Sequence, residues 1–147
     1  MATINATINI SSDITSYPMS INKSMTMKKA DSCHGLDETT GMRTKKFAAE
    51  ASPTAAVIVE ADEITADKAT KVYIRNTSSS KEGYFYVAYH ATAAAATTDQ
   101  TIGKLYGGDW MLMPYDGGTN ITVASDGAAE QTLEYMVFAD VIVAAKG

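Results

Sequence analysis

The sequence predicts an all-β fold: an antiparallel β-sandwich, jelly-roll-like, with about eight or nine strands and long loops. Three observations predict it. Residues 102–140 are apolar, aromatic and β-branched runs cut by Gly107-Gly108-Asp109, Asp116-Gly117-Gly118 and Ser125-Asp126-Gly127. Strand, tight turn, strand is antiparallel punctuation. Residues 19–28 alternate apolar and polar with period two, the side-chain repeat of a strand. No segment carries a long 3.6-residue apolar repeat, so no long helix is expected.

The elements follow in chain order. Residues 3–10 space Ile4, Ile8 and Ile10 between polar residues and read as part of an extended N-terminal arm of about residues 1–12. In the next segment Met19, Ile21, Met25 and Met27 share one side, interrupted by Lys23, and Ser20, Asn22, Ser24, Thr26 and Lys28 share the wet side. Pro18 stands at its start, where a missing N–H is tolerated. Residues 30–44 hold Asp, Gly, Ser and Thr and little core, so they read as a long loop that is functional or mobile.

Residues 55–61 are a short apolar run and read as a buried strand. Residues 71–77 alternate, residues 76–83 are turn chemistry, and residues 84–90 are aromatic and β-branched. They predict a hairpin. Residues 91–98 are low in complexity and read as a flexible loop. Segments 101–106, 110–115, 120–124 and 131–141 close the sandwich. Their Gly pairs are expected in hairpin turns with positive φ. All of this fits one domain spanning 1–147.

The totals exclude several functions. A length of 147 residues can bury a core without staples. A net charge of −5 argues against nucleic-acid binding, which needs a basic face. Lys23, Lys28 and Lys29, then Arg43, Lys45 and Lys46, read as solvated strand ends. Cys33 is the single cysteine, so no intrachain disulfide forms. No charged-then-apolar leader is visible, and no apolar run reaches the roughly 20 residues that span a bilayer. Synthesis in a cytoplasm and no membrane partner are expected.

Constellations that carry chemistry are weak. Cys33-His34 with Asp31 and Asp37 resembles a metal cluster, but one Cys beside one His does not make a tetrahedral site. No strand-to-helix nucleophile turn surrounds Cys33. Asp62, Glu63 and Asp67 lack the spacing of a calcium loop and read as a solvated turn. Gly107-Gly108 and Gly117-Gly118 are not followed by Lys-Ser/Thr, so they are not phosphate loops. No enzyme activity, metal or cofactor is expected. The aromatics Tyr84, Phe85, Tyr86, Tyr89, Tyr106, Trp110 and Tyr115 read chiefly as core and cross-strand pairs, then as a protein interface, then as a glycan platform. Tyr106, Trp110 and Tyr115 are the candidate interface residues.

Leu105-Tyr106-Gly107-Gly108-Asp109-Trp110, Met113-Pro114, Asn120-Ile121 and the closing Leu133-Glu134-Tyr135-Met136-Val137-Phe138 resemble small virion structural proteins of tailed bacteriophages. The opening INISSDI and MSINKSMTMKK is similar to the Thr/Ser-rich start of such proteins. The resemblance covers both ends of the chain and consists of turn-and-strand grammar. It implies a sandwich that decorates or cements a capsid from outside, with the major capsid protein as partner and a homo-oligomer, by analogy a trimer, as the assembled form. A tail, adaptor or fibre-associated virion protein and a glycan-binding host-attachment module are the alternatives.

Overall fold

The computed structural model describes residues 3–12, 19–28, 34–51, 55–64, 69–90 and 101–142. They hold eleven strands and no helix. The chain divides into two compact units, Met1–Asp37 with Asp140–Gly147, and Glu38–Ala139.

The described part of the first unit is chiefly a hairpin. Strands β1 (Thr3–Ser12) and β2 (Met19–Lys28) pair antiparallel without a slip, from Thr3↔Lys28 to Ser12↔Met19. Directly opposed residues share a face. Ala6, Ile8 and Ile10 therefore lie beside Met25, Lys23 and Ile21. The period-two reading of this segment assumes an inward apolar side. Here that side is open: Ile8, Ile10, Met19 and Ile21 are 39–46% exposed. Pro18 lies outside the described residues.

The second unit is an antiparallel β-sandwich. Its strands are β4 (Arg43–Phe47), β5 (Ala56–Val59), β6 (Ala69–Asn76), β7 (Tyr84–Tyr89), β8 (Thr101–Tyr106), β9 (Trp110–Tyr115), β10 (Ile121–Ser125) and most of β11 (Gln131–Ile142). One sheet has the order β5-β10-β7-β8. The other has the order β3-β11-β6-β9, where β3 is His34–Thr39 and β4 also pairs with β11. Thus residues 30–44, expected as a loop, contain β3 and the start of β4. The polar sequence hid them because β3 and β4 lie at the sheet edge, where one long partner strand supplies the ladder.

Eleven strands exceed the eight or nine expected, because β3 and β4 form where a loop was expected. Numbering β4 to β11 as one to eight gives sheets 1-8-3-6 and 2-7-4-5. Among these strands only the β7–β8 connection stays within a sheet. The expected hairpin of residues 71–77 with 84–90 is therefore absent: β6 pairs with β9, and β7 with β8 and β10. The Gly-punctuated turns are corners between the sheets rather than hairpin turns. They do carry positive φ, at Gly108 (87°), Gly117 (81°) and Gly127 (75°).

The core lies between the sheets, where the period-two faces meet. Val72, Ile74, Phe85, Val87, Ile121, Val123, Leu133 and Val137 are fully buried there. Each such side chain contributes about 1.5–3 kcal/mol relative to exposure. Phe47 of β4 meets Phe85 of β7 edge-on at 5.0 Å, joining the two sheets.

One end of the core is polar. Asn76 Nδ2 donates to Leu105 O (3.1 Å) and to Gln131 Oε1 (2.7 Å). Gln131 Nε2 lies within hydrogen-bond distance of Ser125 Oγ, Asp126 Oδ1 and Tyr84 O at 3.2–3.4 Å. Residues from both sheets thus share one buried network, and every partner satisfies a group that would otherwise be costly to bury.

Candidate functional site

The corners place the surface groups. Asx and Ser side chains fold each one locally: Gly118 N donates to Asp116 Oδ1 (3.0 Å) and Gly127 N to Ser125 Oγ (3.0 Å). Tyr106 N donates to Asp109 Oδ2 (3.0 Å) across the β8–β9 corner. This corner sends Tyr106 and Trp110 to different sheets.

The three candidate interface residues accordingly do not form one surface. Tyr106 is 38% exposed on β8, Trp110 is 50% exposed on β9, and Tyr115 is 4% exposed in the core. Each belongs to a separate arrangement.

Tyr106 belongs to a tyrosine group on the β7–β8 ladder. Register pairs Tyr84 with Tyr106 and Tyr86 with Lys104. The Tyr84 ring is 4.9 Å from Tyr86, edge-on, and 5.0 Å from Tyr106. The Lys104 ammonium sits over Tyr84 at 4.5 Å and Tyr86 at 5.2 Å. The Tyr84 and Tyr86 hydroxyls share a 2.8 Å hydrogen bond, which with burial pushes the Tyr84 phenol up. Lys104 is held above the usual ammonium range by its hydrogen bond to Tyr84.

Trp110 belongs to the β6–β9 ladder. It stands opposite Arg75, and Leu112 stands opposite Tyr73. Tyr73 Oη donates to Glu134 Oε1 (2.8 Å), and Arg75 Nη1 reaches the same oxygen at 3.4 Å. Burial, then Glu134, pushes the Tyr73 phenol up. Arg75, the register partner of Trp110, thus forms an ion pair with Glu134.

Tyr115 forms the back of a cleft of about 730 Å³ lined by Thr70, Lys71, Tyr89, Pro114, Tyr115, Asp116 and Thr119. The Tyr89 and Tyr115 rings are nearly parallel, 8° apart, with centroids at 6.0 Å. Tyr89 Oη donates to Pro114 O (3.0 Å) and Tyr115 Oη to Thr119 O (2.8 Å). The Tyr115 phenol is pushed up to about 12 by burial, then by Asp116 and more distant charges. Sequence reading named Tyr89 only as one aromatic among seven. Asp116 and Lys71 were missed, because nothing in the sequence reveals that β6, β7 and β9 meet there.

The remaining candidates disperse. Cys33 and Asp31 lie outside the described residues, and His34 opens β3. Among the described residues no group of three or more His, Cys, Asp or Glu is placed to hold a metal ion. Asp67 also lies outside them, while Asp62 takes φ 62° in the turn after β5 and Glu63 pairs with Arg43. Lys46 pairs with Glu130 at 2.9 Å, and Lys45 lies 5.9 Å from the Phe47 ring centre. Among the described residues no helix is long and apolar enough to cross a membrane.

The most distinctive feature remains the hairpin: an exposed apolar face and, among the described residues, a sheet of two strands. No family model and no curated protein matches the chain. A solved structure does resemble it, from work describing Bacillus endospore appendages as a novel family of disulfide-linked pili. The TM-score is 0.51 at 19% identity, over 80% of this chain and 95% of that one. At this distance the likeness concerns the fold.

Proposed function

We propose that the chain is a structural subunit of a particle surface: a capsid decoration or cement protein that binds the outside of a phage head through its N-terminal hairpin and stabilises the shell. The observation that carries this reading is the β1–β2 hairpin. A two-stranded sheet alone is marginally stable in water. This one exposes Ile8, Ile10, Met19 and Ile21 together. Among the described residues it pairs with no third strand, and an open strand edge invites one. Docking against the major capsid protein covers the apolar face and extends the ladder in one step. Many copies on a symmetric shell then convert a modest contact into high avidity.

Two further features support the reading. The 1-8-3-6 and 2-7-4-5 strand orders are those of a jelly roll, an architecture common in capsid proteins. The structural neighbour is itself named as an appendage component, so the sandwich suits repetitive surface assembly. A homotrimer is the proposed form on the shell.

Antibody labelling of intact particles, viewed by electron microscopy, tests this. Label spread evenly over heads is the expected result. Label confined to a tail or vertex moves the protein to an adaptor or fibre-associated role. Particles without label, despite accessible epitopes, overturn the virion reading.

A further inference from the structure

We propose that the cleft beside Tyr89 binds a pyranose sugar. The ring of a pyranose has an apolar C–H face and a rim of hydroxyls, and the cleft presents the complement of both. Its volume of about 730 Å³ lies in the range of small-ligand sites and accommodates one or two sugar rings.

The floor is a pre-set aromatic plane. Tyr115 is buried and backs the half-buried Tyr89, with the rings 8° from parallel. The Tyr89 hydroxyl is tied to Pro114 O at 3.0 Å. A ring held from behind and at its tip loses little freedom when a ligand stacks on it, which preserves binding energy.

The rim is polar and carries both charge signs. Asp116 supplies a carboxylate, fixed by the Gly118 N–H at 3.0 Å. Lys71 supplies an ammonium, and Thr70 and Thr119 line the same cleft. Carboxylate and ammonium together recognise hydroxyls, which both donate and accept. Anionic ligands fit poorly beside the Asp116 carboxylate that lines the cleft. A neutral sugar meets the aromatic floor and the mixed rim at once.

The test uses the full chain and the methyl glycosides of glucose, galactose, mannose, N-acetylglucosamine and N-acetylgalactosamine, read by saturation-transfer NMR. At least one is expected to bind with millimolar affinity. Tyr89→Ala, checked for an intact near-UV CD spectrum, is expected to weaken it by at least about tenfold. Tyr89→Phe keeps the stacking plane and retains most of the binding. Asp116→Asn, whose amide oxygen still caps Gly118, is expected to weaken binding and reorder preference among the sugars. No transfer to any of these glycosides overturns the proposal, as does binding unchanged in both Tyr89→Ala and Asp116→Asn. Neither result bears on the docking role, which turns on the hairpin.

Discussion

Asn76 shows how much one buried amide can hold. Its side chain is fully buried, donates to Leu105 O and Gln131 Oε1, and accepts from Ser78 N at 3.0 Å. Its backbone also bonds Asp109 O and Gly108 N across the β8–β9 corner. Asn76→Ala strands a buried carbonyl and a buried amide, so a loss of about 2–3 kcal/mol is expected in urea denaturation. Asn76→Asp is expected to cost at least as much, because a carboxylate cannot donate to either acceptor. This role was not legible in the sequence, where Asn76 stands at the head of a polar run and reads as turn chemistry. A sequence pattern reports which residues prefer turns, and says nothing about which amide a neighbouring strand end will cover.

Tyr115 predicts a pH dependence at the same scale. Its phenol moves from an ordinary 10.0 to about 12 in the fold. Below pH 10 both folded and unfolded chains keep the proton, and the burial contribution is complete. Between pH 10 and about 12 the unfolded chain releases the proton first, so stability falls as pH rises. Denaturation midpoints measured across that window are expected to drop. Tyr115→Phe is expected to flatten the drop while lowering the midpoint at neutral pH through loss of the bond to Thr119 O.

At the scale of elements, the corners decide the architecture. Gly107 lies against the segment that joins β6 to β7. A Cβ there would meet Ser80 O in hard overlap and approach Ser78 O to 2.7 Å. These are backbone atoms and cannot step aside as a side-chain tip can. Gly107→Ala is therefore expected to destabilise by about 2–3 kcal/mol or more, visible as a lowered Tm, whereas Gly103→Ala meets open space and is expected to change little. The strand positions of β8 to β11 were legible, because alternation and Gly punctuation mark where strands begin and stop. Their partners were not. A period-two pattern states which residues share a face, and a positive-φ Gly serves a hairpin and an inter-sheet corner equally well. The predicted pairing of residues 71–77 with 84–90 failed for that reason.

For the whole molecule, the hairpin is the element whose sequence was legible and whose environment was not. The alternation of Met and Ile in β2 reads as a strand with a covered side, and the covering is not supplied by its partner strand. Residues 1–29 carry three lysines against one aspartate, while the whole chain is at −5. A net-basic segment thus belongs to an acidic chain, which is consistent with the docking proposed for it. Removing residues 1–28 takes β1 and β2 together. The truncated protein is expected to keep the cooperative unfolding of the sandwich and to lose binding to particles in a sedimentation assay. Binding retained by a folded truncation would move the docking role to another surface, the Trp110 ladder foremost.

The strand order has a consequence in time as well as in space. Because most connections of the sandwich cross between sheets, neighbouring strands in a sheet come from distant parts of the chain. β4 must wait for β11 before it has a partner, and β5 must wait for β10. Little can form locally and then be extended, so loop-closure entropy is spent before contacts return it. Folding of this kind falls in the slow class, milliseconds to seconds. Contacts that form only after the rate-limiting step slow the reverse reaction instead. A fold that seldom opens once closed persists by kinetics as well as by equilibrium stability.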